Sequence, residues 1–374
     1  MIPAVDLAGG TSTAHIGIPE TASDPERTAA VDRVDWIELG RVAAILAVIA
    51  IHVAASLVQR TSHPSAWWFG NLVESGSRWS VPLFVMISGA LLLTSPRTAD
   101  ARAFYRRRFA RLGPALIVWT IAYLIFGHIT AGAPRRFEDA FRSVLAGRPF
   151  YHLYFLFVIA GLYVVAPALR LLFERVSRRS LMIMTALAFG LAIGDVAIQY
   201  LGGGGAPNAL TRWLPFVGFF LAGAWLRDVA STPRRIRLAA GIALGGVIAT
   251  AVGTALMVGP LGLGLGAGRY LYEYQSITTV PVSLAVFLLL VWLGPGLTHR
   301  LPATLRGLMS SVAICSFGIY LVHPMVLVGL GSLGVGMRMT VVPLAVLLTM
   351  ALVFLGSWAI VALVRRVPGL RMLI

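Results

Sequence analysis

The chain has 374 residues, of which 58% are hydrophobic and only 12% charged, and its mean hydropathy is +0.83. Soluble globular proteins are about 45–50% apolar and about 25% charged, so this composition excludes a disordered chain, a collagen-like repeat and an ordinary soluble enzyme. The net charge is +16, all of the 31 basic residues are arginine, and the single cysteine, Cys315, excludes a disulfide framework and a cysteine-based metal site.

The N-terminal segment 1–34 is polar and shows no apolar periodicity. It also lacks the charged start and the apolar core of a signal peptide. The sequence therefore predicts a disordered tail that precedes a membrane domain at 35–374.

Ten apolar segments follow the tail, and each approaches the roughly 20 residues that a membrane-spanning helix needs. They predict an all-α fold, a polytopic transmembrane helix bundle of about ten spans. The predicted spans are 36–57, 79–94, 112–131, 151–173, 181–201, 210–226, 236–258, 276–295, 308–331 and 340–364.

The distribution of arginines predicts the orientation of this bundle. With the N-terminus in the cytoplasm, the cytoplasmic segments carry more than twice as many arginines as the outer segments. The positive-inside rule therefore predicts that both termini are cytoplasmic, and the composition, rich in Ala and Gly, favours a bacterial plasma membrane. The outer loop 132–150 is the exception, with four arginines, and is predicted to be interfacial or ligand-facing. The separate arginine clusters favour contact with anionic membrane lipid or phosphate over nucleic acid.

The first span contains two ionisable residues, Arg41 and His52, which are eleven residues apart. At this spacing the side chains differ by about 20° around a helix and by about 16 Å along it. They therefore lie on one face at two depths. Ionisable groups inside a bilayer are usually functional. The alternative interpretation is that Arg41 reaches the inner headgroups and that His52 has a structural hydrogen bond.

The third span is preceded by Arg106, Arg107, Arg108 and Arg111. Arg108 and Arg111 are predicted to share a helix face and to bind phosphate, because guanidinium groups bind phosphate in a bidentate manner. The alternative is an anchor that only sets orientation, and this is the preferred interpretation for Arg106 and Arg107.

The ninth span carries Tyr320 and His323, three residues apart and thus on one face. Counted from the cytoplasmic start of each span, His52 and His323 are predicted at similar depth. His152 opens the fourth span from the outside and is predicted either to join them or to be an ordinary interfacial histidine. Asp195 in the fifth span is predicted to be a buried acid.

These positions predict a layered site, with arginines for a phosphate on the inner side and histidines for proton transfer on the outer side. A tunnel of about 16 Å would join the two layers. Such a site suits a cytoplasmic donor that has a phosphate head and a long thin reactive arm. The acceptor would approach from the outer face.

At these residues the chain resembles the acyltransferase-3 family of integral membrane acyltransferases, close to the surface-polysaccharide O-acyltransferase-like branch. The resemblance extends from about Arg33 to Arg366 and rests on five motifs in the same order. They are Arg41 with His52, Val81–Gly89 in the second span, Arg108 with Arg111, Tyr151–Leu156 in the fourth span, and Tyr320–Pro324.

The resemblance implies a ten-helix bundle that transfers an acyl group, commonly acetyl from acetyl-CoA, to a hydroxyl of a sugar or another acceptor. It implies that His52 is the catalytic histidine and that Arg41 is the first-span arginine. The chain departs from the family pattern at Glu38, where Asp is common, and at Tyr154, where Trp is common. It ends soon after the last span, so no second transfer domain is expected.

The sequence thus predicts O-acyl transfer with acyl-CoA as co-substrate, a hydroxyl acceptor and no metal. His52 is the predicted general base, and the predicted donor-binding residues are Arg41, Arg108 and Arg111. Two alternatives remain: an exporter of a glycan or a lipid-linked precursor, and an acyltransferase that acts on a small secondary metabolite. The predicted residues for the acceptor or the oxyanion are Ser88, His152, Tyr320 and His323.

Overall fold

The structure, a computed structural model, describes residues 25–130, 136–202, 205, 207–335 and 341–374. These ranges are helical and contain no strand. The α-helices are α1 (Pro25–Ala54), α2 (Pro64–Ser77), α3 (Ser80–Leu92), α4 (Ala101–Thr130), α5 (Phe137–Leu145), α6 (Tyr154–Arg175), α7 (Arg178–Leu201), α8 (Val217–Leu226), α9 (Pro233–Val258), α10 (Gly264–Gly268), α11 (Thr279–His299), α12 (Ala303–Ser332) and α13 (Val342–Val364). Short 3₁₀ turns lie at Pro96–Thr98, Leu214–Phe216, Arg269–Tyr272 and Leu370–Leu373.

Eight of these helices are long and apolar enough to cross a membrane, namely α1, α4, α6, α7, α9, α11, α12 and α13. They confirm the predicted all-α polytopic bundle. The two remaining predicted spans, 79–94 and 210–226, correspond to shorter apolar helices. α3 has 13 residues and α8 has 10, so they are about 20 Å and 15 Å long against a hydrocarbon core of about 30 Å.

Two helices, α1 and α4, begin about ten residues earlier than the sequence predicts. α1 begins at Pro25, so its first turns occupy 25–34 of the predicted tail, and the rest of that tail, 1–24, lies outside the described residues. α4 begins at Ala101 rather than near residue 112. The arginine-rich stretch before the third predicted span is therefore itself helical, which places Arg108 and Arg111 on the same helix as the span.

α2 and α3 form one bent element rather than a loop and a span. Arg78 and Trp79, which separate the two helices, both keep right-handed helical dihedral angles. Proline has no backbone N–H, so Pro82 removes the donor that an unbroken helix would offer to the carbonyl of Arg78. The helix therefore bends at this point, and the 14 residues of α2 extend α3 toward one end of the bundle.

Two glycines bring α3 and α8 into backbone contact. A Cβ atom added to Gly89 would lie 1.9 Å from the carbonyl oxygen of Phe220, and one added to Gly223 would lie 2.0 Å from that of Met86. Because only glycine fits at such a distance, the two short helices pack as closely as the small-residue interfaces of membrane helices do. They form a rigid wall beside α1.

α1 and α12 lie at the centre of the bundle. Of their most apolar windows, 56% and 61% are buried, against 17–44% for the other long helices. α1 packs against α12, α11 and α3. Both central helices run from an end that carries Arg41 and Arg108, called here the arginine end, toward an end that carries His52 and His323, called here the histidine end.

The segment 132–150 contains the short helix α5, and residues 131–135 lie outside the described ranges. No residue of α5 is buried. Phe137 and Phe141 are stacked on one exposed face, and Arg142 pairs with Glu138 one turn away. An exposed aromatic face opposite charged residues is typical of a helix in the membrane interface. The interfacial position of this segment remains a prediction.

The prediction for Asp195 is wrong. Its side chain is exposed in α7 rather than buried in the bundle. α7 is apolar on nearly every side and shows no clear amphipathic pattern. The sequence therefore gave no reliable indication of which face of this helix turns inward.

Candidate active site

A cavity of about 250 Å³ opens at the arginine end between α1, α3, α4, α6 and α12. It brings together the three arginines that were predicted to bind the donor, Arg41, Arg108 and Arg111. Arg108 and Arg111 are exposed, so this end of the cavity is open to solvent. The further lining residues are Phe84, Ile87, Ser88, Arg107, Leu112, Phe155, Ile159, Tyr163, Ala313, Ile314, Ser316, Phe317 and Tyr320.

The charges in this cavity favour an anionic ligand. Arg41, Arg108 and Arg111 line the same cavity, so their like charges repel one another. The guanidinium carbon of Arg108 lies 5.6 Å from the ring centre of Tyr163, a cation–π contact that holds the side chain over the cavity. Glu38 partly offsets the charge of Arg41. An anion with several oxygens would relieve the repulsion and use the guanidinium donors.

Two polar neighbours of these arginines have structural partners. Glu38 accepts a hydrogen bond from the hydroxyl of Ser310 in α12, which ties α1 to α12 at the arginine end. Arg107 lines the cavity, but its Nη2 donates to the carbonyl oxygen of Arg97 at 2.7 Å. This bond fits the anchoring role that the sequence suggested for Arg107.

Three histidines cluster at the histidine end. The ring centres of His52 and His323 lie 5.1 Å apart with an interplanar angle of 25°, and those of His152 and His323 lie 5.5 Å apart. His52 and His323, which were predicted to lie at similar depth, are thus in direct ring contact. His152 is 1% exposed, so it belongs to this cluster rather than to the membrane interface. Among the described residues, no group of His, Cys, Asp and Glu side chains is arranged to hold a metal ion.

The hydrogen bonds of His323 define which of its nitrogens carries the proton. Nδ1 lies 2.8 Å from the carbonyl oxygen of Tyr320. A carbonyl only accepts, so Nδ1 must donate, and in the neutral ring Nε2 is then the acceptor. This Nε2 atom is buried and has no hydrogen-bond partner. His323 therefore presents a free lone pair beside His52.

Tyr320 connects the arginine cavity to the histidines. Its side chain lines the cavity, and its ring centre lies 5.4 Å from that of His152 and 5.9 Å from that of His323. Its hydroxyl donates to the backbone carbonyl of His152. A phenol has one proton to donate, so this bond leaves Tyr320 unable to donate to an oxyanion at the same time and favours a structural role for its hydroxyl.

Ser88 lines the same cavity from α3. Its hydroxyl donates to the carbonyl oxygen of Phe84 one turn earlier, at 2.9 Å. Such bonds within a helix are weak and a hydroxyl can rotate away from them. Of the two predicted residues that carry a hydroxyl, Ser88 and Tyr320, Ser88 is therefore the better placed to reorient toward a ligand.

The sequence interpretation missed a second polar cluster at the histidine end. Glu74 and Arg78 of the α2–α3 element form an ion pair, and Tyr272 and Tyr274 lie against it. Burial raises the pKa of the Tyr272 and Tyr274 hydroxyls, so both phenols stay protonated near neutral pH. Segment 58–78 lies between the first two predicted spans and so counts as an outer segment. The helical spacing of Asn71, Glu74 and Arg78 is the signal that could have indicated a helix there.

A comparison with models of protein families identifies the family of this chain. The model of a family described as an acyltransferase domain matches residues 34–362. This range contains the arginine cavity, the histidine cluster and all but the outermost turns of the long apolar helices. No curated protein and no solved structure matched the chain. The chain is a multi-pass membrane protein that belongs to the acyltransferase-3 family of membrane acyltransferases.

Proposed function

We propose that this acyltransferase transfers an acyl group, most simply acetyl, from acyl-CoA to a hydroxyl of a surface glycan or a related acceptor. The observation that carries the proposal is that Tyr320 connects the arginine cavity to the histidine cluster. A cavity with three arginines reaches Tyr320, and Tyr320 contacts the histidine cluster. A phosphate-bearing donor with a long arm fits such a path from one end of the bundle toward the other.

The donor would bind from the arginine end. Arg41, Arg108 and Arg111 would hold the phosphates of CoA, because a permanently charged guanidinium suits phosphate geometry. The arm would then follow α1 over the distance of about 16 Å that separates Arg41 from His52. Its thioester would arrive beside the histidines.

The transfer step would use His52 as general base. His52 takes the proton from the acceptor hydroxyl as the hydroxyl oxygen attacks the thioester carbonyl carbon. The tetrahedral intermediate then collapses, the carbon–sulfur bond breaks, and the CoA thiolate takes the proton back from the imidazolium. The products are an ester and free CoA thiol. Nε2 of His323, whose lone pair is free, would accept a hydrogen bond from the acceptor.

The direction of transfer follows from the arginines. The proposed orientation places both termini and the arginine end in the cytoplasm, where acyl-CoA is made, in a bacterial plasma membrane. The histidine end then faces outward, toward a surface glycan. The surface-polysaccharide branch of the family would share this direction.

The proposal is tested with membranes from cells that make the protein. Opened vesicles given radiolabelled acetyl-CoA should release free thiol and incorporate label into an ester, and vesicles from a deletion strain should do neither. Digestion and extraction of the product would identify the labelled acceptor as a glycan or a small metabolite. An exporter would need no CoA. Equal thiol release and equal incorporation in the two strains would contradict the proposed function.

A further inference from the structure

The bend between α2 and α3 contains a buried ion pair that the transfer step above does not use. Glu74 is 1% exposed, and its carboxylate accepts a hydrogen bond from Nη2 of Arg78. A buried ion pair is seldom retained for stability, because the desolvation penalty offsets the attraction. Ionisable groups inside a membrane bundle therefore indicate a functional site.

The wall behind Glu74 is fixed by a hydrogen-bond network. Nδ2 of Asn71 donates to the carbonyl oxygen of Ala251 at 2.9 Å. Oδ1 of Asn71 accepts from the hydroxyl of Tyr272 at 2.7 Å and from that of Ser75 at 3.2 Å. These bonds connect α2 to α9 and to the 3₁₀ turn Arg269–Tyr272. The network fixes the helix that carries Glu74 and thereby holds Arg78 in one direction.

Arg78 keeps part of its binding capacity free. Its side chain is 17% exposed. A guanidinium has five N–H donors, and the Nε atom of Arg78 is buried without a hydrogen-bond partner. The hydroxyl of Ser80, two residues further along the bend, is also buried and without a partner. Because Pro82 has no N–H, the carbonyl of Arg78 lacks its helical donor as well.

Aromatic rings lie against this group and connect it to His52. The guanidinium carbon of Arg78 lies 5.0 Å from the ring centre of Tyr272 and 5.9 Å from that of Tyr274. Tyr274 in turn stacks with Tyr154 at the start of α6. Tyr151, three residues before Tyr154, has its ring centre 4.8 Å from that of His52. The bend thus places the unpartnered Nε of Arg78 and the unpartnered hydroxyl of Ser80 together with two tyrosine ring faces, near the histidine cluster.

We propose that Arg78 binds the reacting hydroxyl of an uncharged, polyhydroxylated acceptor beside His52, and that Glu74 is the positioning residue that holds it there. The inference rests on the proposed function and names the acceptor side of the same site. A hydroxyl both donates and accepts, which matches the free groups at the bend. Glu74 neutralises Arg78, so the subsite favours a neutral ligand over an anion. Tyr272 and Tyr274 offer ring faces to the C–H groups of a sugar.

Arg78 would also act during the transfer step. As His52 removes the proton from the acceptor hydroxyl, negative charge develops on the hydroxyl oxygen. A guanidinium N–H already directed at that oxygen stabilises this charge without reorganisation. The same proton and the same carbon–sulfur bond are involved as in the proposed mechanism, so no further reactant is needed.

The experiment uses a deletion strain of the natural host that is complemented with the wild-type protein or a variant. Opened membrane vesicles receive radiolabelled acetyl-CoA, and the endogenous acceptor supplies the hydroxyl. Two quantities are measured, incorporation of label and binding of radiolabelled CoA. The variants are Arg78→Gln, the charge-neutral double variant Glu74→Gln/Arg78→Gln, and Arg142→Gln as control. Arg142 forms an Arg–Glu pair of the same spacing in α5, but that pair is exposed.

We expect Arg78→Gln and the double variant to lower incorporation at least about tenfold, because each loses a charge-assisted hydrogen bond to the acceptor. CoA binding should be unchanged, and Arg142→Gln should behave as wild type, because exposed ion pairs contribute little. Arg78→Lys, which keeps the charge but loses the planar fork, should recover part of the activity.

Two results would overturn the proposal. The double variant leaves no buried charge unpaired, so if Arg78 were only structural, the double variant should transfer at the wild-type rate. Parallel loss of CoA binding and incorporation in the double variant would likewise show a structural role. Wild-type vesicles that bind CoA but incorporate no label would instead contradict the proposed function itself.

Discussion

Replacing His52 with glutamine should lower acyl transfer by a factor of about 10² or more, the lower end of what general acid–base catalysis contributes. Glutamine can still donate and accept hydrogen bonds, but it cannot exchange a proton near neutral pH. A structural histidine would tolerate this change in part, whereas a general base would not. The measurement is the initial rate of label incorporation from acetyl-CoA at equal amounts of membrane protein.

The matched control for this variant is His63→Gln. His63 is exposed in the connection between α1 and α2, and its replacement should leave transfer unchanged. Retention of more than about a tenth of the activity by His52→Gln would exclude the acid–base assignment. His323 would then be tested first, because its Nε2 is the free acceptor beside His52.

Replacing Arg108 or Arg111 with alanine should weaken donor binding more than it affects the acceptor. Each change removes a charge-assisted contact worth about 1.5–3 kcal/mol, which corresponds to a loss of roughly 10- to 150-fold in apparent affinity for acyl-CoA. The two residues lie one turn apart and bind the same donor in this account, so the double variant should lose less than the sum of the single losses. The apparent affinity is measured from the dependence of transfer on acetyl-CoA concentration.

Arg106→Ala is the control on the same helix. Arg106 is exposed and does not line the cavity, so its loss should leave the affinity for acyl-CoA unchanged. An unchanged affinity in Arg108→Ala and Arg111→Ala as well would make these residues orientation anchors only.

The sequence was sufficient to predict that His52 and His323 lie at similar depth, but not that their rings would be in contact. Both residues lie in long apolar helices that start at the same membrane face, so counting residues from that face gives their depth. The same argument predicted that Arg41 shares a face with His52. The face that a side chain occupies and its distance along the helix depend only on that helix, so they are the same in the folded bundle.

The sequence was insufficient where burial depends on partners from distant helices. Asn71 and Glu74 are polar residues of types that are common in loops. They lie in the interior because Asn71 bonds to Tyr272 and Ala251, and because Glu74 pairs with Arg78. Asp195 is the opposite case, a residue predicted to be buried that is exposed in the structure. Its position within an apolar helix suggested burial, and only the packing of α7 shows that it lies on the outward face. The sequence also predicted that Tyr320 orients the acceptor or stabilises the oxyanion. It could not show that the Tyr320 hydroxyl already donates to the carbonyl of His152, a residue far away in sequence.

The central claim is that the donor enters at the arginine end and that the acyl group is transferred at the histidine end. Sealed vesicles of the two opposite orientations, each given radiolabelled acetyl-CoA only on the outside, test it most directly. Vesicle orientation is assigned with an impermeant thiol reagent on Ala140→Cys in α5 and Ser180→Cys in α7, since the native Cys315 is buried. The account predicts incorporation only when the arginine end faces the donor, which the positive-inside rule places on the cytoplasmic face. Incorporation only from the histidine end, or equal incorporation from both faces, would contradict it.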